Sequence, residues 1–492
     1  MWVRKLVTSH RRAMAVILAF VLALSSALVA SANLSLLLLS TDPYTDPLGQ
    51  HKTEVEPDTL SASSTIVSAF QVARVFDGGA LDIGFATSTN GGTSWTNGFL
   101  PGTTGSSTPQ GIYQRVSDAS VAFDARHNVW LISYLGVLPN GNRARVDVLV
   151  SRSTDGGLTW STPVTVNADG HFNDKNWTVC DNTASSPFFG NCYTEFDDNT
   201  LGDRVEMTTS TDGGQTWGAA QTTTNKAFGI GGQPLVQPNG TVIVPIVGFT
   251  RFNFLIQSFT STNGGATWGP TIKVATVAFR HPAGGIRASI PLPSAEMDSS
   301  GKVYVVWSDC HFEAGCTASD LVLSTSANGI VWSKVTRIPL DPVGSGVDHF
   351  IPGLAVDRST SGSSAHLAVT YYFYPEANCT SATCRLNVGS STSSDGGATW
   401  TAGTQVAGPM NLSWLPNTTQ GRMVGDYISV SFANNKAYPA IAVANAPTGT
   451  TFDEATYTVA GGLGVGATTL AANDQVDTGT NDPETSSSLT SQ

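Results

Sequence analysis

The chain has 492 residues and a formal net charge of −12, and only 13% of its residues are charged. The hydrophobic fraction of 40% is ample for a large core. Downstream of the N-terminal segment there is no basic patch or basic run, which argues against nucleic acid as a partner. Long helical patterns are nearly absent, and short Val, Ile, Thr and Tyr runs alternate with Gly, Asn and Asp clusters. This composition predicts an all-β protein.

The N-terminus has the pattern of a targeting segment. Four basic residues lie within the first twelve, residues 13–30 are apolar, and residues 30–32 read Ala-Ser-Ala. We therefore predict a signal peptide over residues 1–32. Because the apolar run is long, an uncleaved membrane anchor stays open as the alternative. Residues 33–50 are expected to be a linker. In either case the protein is expected to be exported, either secreted or held at the cell surface.

A short motif recurs six times at intervals of 51 to 67 residues. Five copies read Ser-x-Asp/Asn-Gly-Gly-x-Ser/Thr-Trp, and one copy lacks a residue. The Asp or Asn side chain can accept hydrogen bonds from turn amides, and Gly-Gly supplies positive φ, so each copy predicts a tight hairpin. The repeat length suits a four-stranded propeller blade. The copies begin at Ser88, Ser153, Ser210, Ser261, Ser326 and Ser393.

This motif resembles the Asp-box of the sialidase (neuraminidase) superfamily, Ser-x-Asp-x-Gly-x-x-Trp, although Asn90 and Asn263 stand where Asp is usual. The resemblance covers most of the chain and implies a β-propeller of four-stranded antiparallel blades over residues 51–460. It places the boxes between the third and fourth strands of each blade, on the rim away from the catalytic face. We therefore expect the box residues to be structural.

Seven segments have the pattern of a first blade strand, one more than the number of boxes. We favour seven blades for this reason, with the six-bladed ring familiar from sialidases as the alternative. After about residue 461 the sequence becomes poor in large apolar residues, and a flexible tail is expected over residues 461–492. The first-strand segments are residues 54–60, 117–124, 173–179, 232–236, 290–296, 350–357 and 425–431.

The six cysteines fall into three close pairs. An even number, local spacing and an exported context predict three short disulfides. A metal site is the weaker interpretation, because no pair has Cys-x-x-Cys spacing and a matching histidine set is missing. The predicted pairs are Cys180–Cys192, Cys310–Cys316 and Cys379–Cys384.

Charged side chains are concentrated at the starts of the first strands and in the loops between second and third strands. In a propeller these positions face the central funnel, where functional groups are expected. The residues near first strands are Glu54, Glu56, Arg115, Asp118, Asp174, Lys175, Arg280, Arg287, Asp348, His349, Arg422 and Asp426. Those in or beside the loops are Arg74, Arg251, Asp309 and His311.

The resemblance to sialidases implies roles for some of these residues. Sialidases hold the substrate carboxylate with three arginines and use an acid/base, usually Asp, together with a tyrosine nucleophile polarised by Glu. A guanidinium pairs with a carboxylate in bidentate fashion. The candidates are Arg115, Arg287 and Arg422 for the triad, Asp118 or Asp174 for the acid/base, Tyr427 with Glu56 for the nucleophile, and Asp426 for substrate binding.

One feature departs from the family pattern. Sialidases carry an Arg-Ile-Pro element before the first box, whereas here the tripeptide occurs at residues 337–339, after the fifth box, and downstream of the predicted signal peptide only Arg74 precedes the first box. Three hypotheses follow: a sialidase-like hydrolase for terminal sialic acid or a related acidic sugar, a non-catalytic propeller that binds glycan or protein, and a two-carboxylate glycosidase for a neutral sugar. We favour the first, with a glycan partner, a monomeric state and no cofactor, and with a structural calcium ion left open.

Overall fold

The all-β prediction is confirmed by the computed structural model, which describes residues 34–140, 143–466 and 470–471. The predicted signal peptide over residues 1–32 lies outside the described residues. Among these ranges no helix is long and apolar enough to cross a membrane. Helical structure in the same ranges is limited to short 3₁₀ turns at Asn199–Leu201, Ala283–Gly285, Ala314–Cys316, Gly362–Ser364 and Leu412–Trp414.

A short strand, β1 (Leu36–Leu38), precedes antiparallel sets of strands that follow one another along the chain. Set A contains β2 (Gly49–Ala62), β3 (Thr65–Val75), β4 (Ala80–Ser88) and β5 (Thr96–Phe99). Set B contains β6 (Arg115–Asp124), β7 (Val129–Asn140), β8 (Arg143–Ser153) and β9 (Val164–Asn167). Set C contains β10 (Asn173–Cys180), β11 (Cys192–Asp198), β12 (Arg204–Ser210) and β13 (Gln221–Thr222).

Three more sets have the same strand order. Set D contains β14 (Gly229–Ile230) and β15 (Leu235–Val236), both paired with β16 (Val242–Phe249), then β17 (Phe254–Ser261) and β18 (Ile272–Val277). Set E contains β19 (Ser294–Met297), β20 (Val303–Asp309), β21 (Asp320–Ser326) and β22 (Thr336–Arg337). Set F contains β23 (Asp348–Val356), β24 (Leu367–Tyr374), β25 (Arg385–Ser393), the short β26 (Thr399–Trp400) and β27 (Thr404–Asn411).

The last set, G, is completed by the N-terminal strand. A two-stranded hairpin, β28 (Asn417–Thr418) and β29 (Gly421–Arg422), precedes β30 (Ser429–Ala433), β31 (Lys436–Ala444) and β32 (Glu454–Val459). β1 pairs antiparallel with β32 and supplies the fourth strand of the set. β1 therefore lies within residues 33–50, where a linker was expected. Two short strands, β33 (Leu463–Gly464) and β34 (Leu470–Ala471), lie within the expected tail and pair with β31 and β26.

The first strands of the sets lie side by side in a closed order. β2 contacts β6, and the contacts continue through β10, β15, β19 and β23 to β30, which contacts β2 again. Together they surround a central cavity, to which every set contributes. One lining residue from each first strand is Asp58, Val121, Trp177, Leu235, Ala295, Leu354 and Ser429.

Each repeat motif lies between the third and fourth strands of a set and is stabilised by the same hydrogen bonds. In the second copy the Ser153 hydroxyl donates to Asp155 Oδ1 at 2.8 Å and accepts from the Gly157 amide at 2.9 Å. Asp155 Oδ1 also accepts from the Thr159 amide at 3.0 Å. A Cβ on Gly157 would lie 2.7 Å from Cγ2 of Val67 in set A, so the second glycine permits close packing of neighbouring sets.

The first repeat makes the corresponding contact with the last set. Gly92 packs directly on the ring of Tyr438 in β31, and the Tyr438 hydroxyl donates to the Gly91 carbonyl at 2.8 Å. Set A therefore packs on set G through the same turn by which set B packs on set A.

All three predicted disulfides are present. Cys180–Cys192 joins β10 to β11, while Cys310–Cys316 and Cys379–Cys384 each close a loop between a second and a third strand. Disulfides of this kind are typical of proteins outside the cytosol.

Candidate functional site

Four of the first strands contain bulges. The pairing register shifts twice in β2 and once in each of β6, β10 and β23, and at each shift one residue other than glycine has positive φ. At the first shift in β2 this residue is Lys52 (φ 57°). A bulge bends a strand and redirects its side chains. Positive φ costs roughly 1–3 kcal/mol and is unusual for a β-branched residue. At the second shift in β2 and at the shifts in β6, β10 and β23 the residues are Glu56 (φ 53°), Asp118 (φ 52°), Lys175 (φ 40°) and Ile351 (φ 51°).

Three of these bulge residues, Glu56, Asp118 and Lys175, belong to one group of ionisable side chains, which we call the central cluster. It also contains residues from the second strands and from the segments before β19 and β30. The full membership is Glu56, Arg74, Asp118, Asp174, Lys175, Glu195, Asp197, Arg287 and Asp426.

Glu56 joins the first and last sets at this cluster. It is 1% exposed, its Oε1 accepts from the Asp426 amide at 3.2 Å, and its Oε2 accepts from the Gln71 side chain. Burial, and then the charges of Asp118 and Asp426, raise the pKa of Glu56 above its ordinary value. The Glu56 carboxyl group can therefore retain its proton near neutral pH.

Two guanidinium groups converge beside Glu56. Arg287 makes a bidentate pair with Asp426, with Nε donating to Oδ1 at 2.9 Å and NH2 contacting Oδ2. Burial lowers the pKa of Arg287, but Asp426 and Glu56 outweigh that effect and raise it. Arg74 is 2% exposed, donates to two backbone carbonyls, and has its Nε 3.0 Å from Met423 Sδ, which Arg287 NH1 also approaches at 3.6 Å.

Asp118 lies next to a buried lysine and an aromatic pair. Lys175 Nζ is 3.9 Å from Asp118 Oδ1, 3.6 Å from the centroid of the Tyr427 ring and 4.7 Å from that of Trp177. The two rings meet edge to face with centroids 5.5 Å apart. The lysine is thus held by one carboxylate and two π faces.

Asp174 and Asp197 are direct partners across β10 and β11, and Glu195 is on the same face of β11. Asp197 and Glu195 are fully buried, and no described residue hydrogen-bonds to the Asp197 carboxyl group. Burial raises the pKa of Glu195 to about 8. Burial, followed by Asp174, raises that of Asp197, and burial, followed by Asp118, raises that of Asp174. Among these three acids, only Asp174 is partly exposed.

The structure brings together five of the eight residues proposed from the sequence: Glu56, Asp118, Asp174, Arg287 and Asp426. Tyr427 lies beside them, but its hydroxyl donates to the Ala119 carbonyl at 3.0 Å and its side chain is buried.

The other two proposed arginines hydrogen-bond to backbone outside the central cluster. Arg115 NH1 donates to the Gly78 carbonyl at 2.8 Å, and Arg422 NH1 donates to the Leu415 carbonyl at 2.7 Å. Arg422 still helps to position the site, because its carbonyl accepts from the Arg287 amide.

Several members of the cluster were not among the residues proposed from the sequence. Arg74 and Lys175 were noted only as charged positions. Glu195 and Asp197 carry a recognisable signal, since two acids separated by one residue in a strand must share a face. Met423 has no signal in the sequence.

Two groups of Asp and His side chains have donor atoms close enough to share a cation. In one, His171 Nδ1 lies 2.7 Å from Asp198 Oδ2 and 3.6 Å from Asp169 Oδ2. In the other, Arg337 NH2 lies 2.7 Å from both Asp320 Oδ1 and Asp341 Oδ1, beside His349. The guanidinium already pairs with both carboxylates of the second group. The first is adequately explained as an ion pair, in which the hydrogen bond to Asp198 raises the pKa of His171.

No protein-family model and no curated protein sequence matches the chain. Among solved structures, an ulvan lyase aligns with a TM-score of 0.49 and 11% identity over 88% of this chain and 97% of its own. The Hadza microbial sialidase Hz136 aligns with a TM-score of 0.44 and 12% identity over 77% and 73%. The sialidase of Trypanosoma rangeli aligns with a TM-score of 0.42 and 13% identity over 86% and 59%. At these values the similarities identify neither a family nor an activity for this chain.

Proposed function

We propose that the chain is an exported, seven-bladed β-propeller glycoside hydrolase of the sialidase type, with its reaction centre at the central cluster. Sets A to G are the blades, and the pairing of β1 with β32 closes the ring. The observation that carries the proposal is the convergence of Glu56, Asp118 and Asp174 at the bulged ends of three first strands. Strained backbone and acids of raised pKa are concentrated at active sites.

The charge balance of the cluster supports an acidic sugar as substrate. Four of its acids have raised pKa values: Glu56, Asp174, Glu195 and Asp197. When these four carry protons, the carboxylates of Asp118 and Asp426 face three cations, Arg74, Lys175 and Arg287. One positive charge is left over, which suits a sugar with one carboxylate, such as terminal sialic acid.

The accessible members of the cluster suit acid catalysis of glycoside cleavage. Asp174 is partly exposed, and burial followed by the charge of Asp118 raises its pKa to about 7, so it can carry a proton near neutral pH and give it to the leaving oxygen. The Asp118 carboxylate stabilises the positive charge that develops on the sugar ring as the bond to the leaving oxygen breaks. Water then attacks that carbon, supplies the hydroxyl group of the product and returns its other proton to Asp174. The Tyr427 hydroxyl is engaged with Ala119, so we assign this side chain to the wall of the site.

A hydrolase of a neutral sugar is the second candidate, and one observation favours it. Arg287 is already paired with Asp426, and Arg74 is buried and hydrogen-bonded to backbone. Neither guanidinium is free unless the substrate displaces its partner. Two carboxyl groups alone are sufficient for hydrolysis of an uncharged glycoside.

A panel of 4-methylumbelliferyl glycosides tests the proposal: the α-ketoside of sialic acid, a β-glucuronide, an α-L-arabinofuranoside and a β-galactoside. We expect turnover of an acidic glycoside and a loss of at least 100-fold in kcat for Asp174→Asn. Asp46→Asn, at an exposed position, is the matched control and should not change kcat. Turnover of only the neutral glycosides would favour the second candidate. Folded protein that binds glycans but releases no fluorophore would make the chain a non-catalytic binder.

A further inference from the structure

Several turns between a first and a second strand bond their set to the neighbouring set. In set F this turn spans residues 357–366, and its Gly362 amide donates at 2.9 Å to Oδ2 of Asp298, which directly follows β19 in set E. The Gln237 side chain in the turn of set D donates in a similar way to the Gly301 carbonyl in the turn of set E at 2.6 Å. These turns therefore satisfy polar groups at the C-terminal ends of the first strands.

Set G departs from this pattern because its turn consists of Asn434 and Asn435 alone. Asp357 directly follows β23 in set F, as Asp298 follows β19 in set E. It is 7% exposed, and its Oδ1 accepts from the Ser359 amide at 2.9 Å and from the Ser359 hydroxyl at 2.7 Å. Its Oδ2 makes no hydrogen bond to any residue that the structure describes. Half of a buried carboxylate therefore lacks the donor that Asp298 has.

A cavity of about 270 Å³ lies between the turns of sets F and G, and Asp357 lines it. Its floor includes the buried residues Ala355 and Phe432, and its rim includes the exposed residues Ser63 and Asn434. A cavity of this volume has room for several water molecules or for one small organic molecule. The half-satisfied carboxylate thus lies in the wall of a space that a ligand can enter.

The cavity has one negative charge that no described cation compensates. Two carboxylates and one guanidinium line it, and Arg358 NH2 already pairs with Glu296 Oε2 at 3.1 Å. This leaves the Asp357 carboxylate without a charged partner. At the end of the first strand of set B, by contrast, Asp124 Oδ2 lies 2.6 Å from His127 Nδ1. A buried carboxylate without such a partner favours a ligand that has N–H donors and a positive charge.

We propose that this cavity binds an organic cation, an ammonium or guanidinium group that donates to Asp357 Oδ2. The cation takes the place that the Gly362 amide has beside Asp298 in set E. It belongs either to a free small amine or to a lysine or arginine side chain of another protein. No member of the central cluster lines the cavity, so its occupancy does not depend on the proposed reaction.

NMR titration of putrescine and agmatine, observed on the ligands, tests the proposal, with 1,4-butanediol as the uncharged analogue of putrescine. Salt at about 0.15 M weakens the general attraction of cations to a protein of net charge −12. We expect both amines to bind at least tenfold more tightly than the diol. An acetylated and amidated tripeptide with a central arginine represents the second source. Tighter binding of this peptide than of agmatine would assign the site to a partner protein, and the reverse order to a free amine.

Two substitutions in the cavity should change the affinity for putrescine in opposite directions. Asp357→Asn keeps an acceptor for Ser359 and should weaken binding at least tenfold. Arg358→Gln releases the Glu296 carboxylate and should strengthen binding at least twofold. Asp46→Asn is the matched control, because it changes the net charge as Asp357→Asn does, is exposed and does not line the cavity. It should bind as the wild type does.

Melting temperatures establish that each variant is folded before its affinity is compared. The proposal is overturned if folded wild-type protein binds the diol as tightly as the amines, or if Asp357→Asn and Asp46→Asn bind putrescine equally well. If Asp357→Asn does not fold, Arg358→Gln decides the question, and an unchanged or weaker affinity of that variant overturns the proposal.

Discussion

Asp174 and Asp197 face each other across β10 and β11 in a region where no described residue hydrogen-bonds to the Asp197 carboxyl group. Two carboxyl groups in such a position cannot both ionise at low cost, so one of them retains a proton near neutral pH. The raised pKa of Asp197 supports this, with burial as the main cause and Asp174 as the next.

Asp197→Asn should therefore flatten the dependence of stability on pH. An acid whose pKa is raised by folding binds more protons in the folded state, so the protein loses stability as pH rises from the pKa of the unfolded chain through the higher folded value. We expect the melting temperature of the wild type to fall more than that of Asp197→Asn between pH 5 and pH 9. Asp46→Asn is the control, and equal pH profiles for all three proteins would contradict the prediction.

The Arg287–Asp426 pair should show strong coupling between its two members. Each single variant, Arg287→Met or Asp426→Asn, leaves a largely buried charge without its partner, whereas the double variant removes both charges. We expect a coupling free energy of about 1–3 kcal/mol from urea unfolding of the four proteins. Additive losses would mean that the pair contributes no specific interaction. Arg358–Glu296, a more exposed pair, is the comparison and should couple by less than about 1 kcal/mol.

Activity on an acidic glycoside should decline at alkaline pH through KM. Glu195 has a pKa of about 8, raised mainly by burial, and Glu56 is raised in the same direction. As these acids ionise, the cluster gains negative charge and repels an anionic substrate. We expect KM for the acidic glycoside to rise several-fold between pH 7 and pH 9, and KM for any neutral substrate to change less. The same rise for both substrates would exclude this electrostatic cause.

Two buried glutamates should make the seam between sets A and G sensitive to alkaline pH. The Glu54 carboxylate accepts from the Ser40 hydroxyl at 2.8 Å, and burial raises its pKa to about 8. Glu454 is fully buried, and its pKa is raised by burial and then by Glu54. The protein should therefore lose stability as pH rises from about 4.5, the ordinary glutamate value, through 8.

Glu454→Gln tests this seam by removing one titrating group. Its melting temperature should fall less than that of the wild type between pH 5 and pH 9. Glu376→Gln, at an exposed position, should behave like the wild type. An equal fall for Glu454→Gln and the wild type would show that Glu454 ionises without cost.

A repeat turn can be weakened without affecting the site. Asp155→Ala removes the acceptor of the Leu158 and Thr159 amides, and loss of such a cap costs about 1 kcal/mol. We expect a small decrease in the free energy of unfolding and unchanged glycoside turnover. Asp212→Ala, at the same position of the next repeat, should reproduce both results. A loss of turnover in either variant would place the turns close to the chemistry.

The sequence predicted most of what depends on local chemistry. The repeat turns are hairpins because their hydrogen bonds lie within a few residues, and the disulfides are close in sequence. The partners of Asp174 were harder to predict, because its contact with Asp197 depends on strand register across a 23-residue separation. The hydrogen bonds of Arg115 and Arg422 could not be predicted from local sequence pattern either. These side chains donate to the Gly78 and Leu415 carbonyls, and a backbone carbonyl has no distinctive signal in the sequence.

The pairing of β1 with β32 has a consequence for biosynthesis. The strand made first reaches its partner only after about 420 further residues have been added, so a nascent chain that stops before Val459 carries an unpaired edge at its start. Set G can therefore be completed only after both β1 and β32 have been synthesised. Removing Leu36–Leu38 should leave a product that is complete in every other sheet yet prone to associate through the exposed strand.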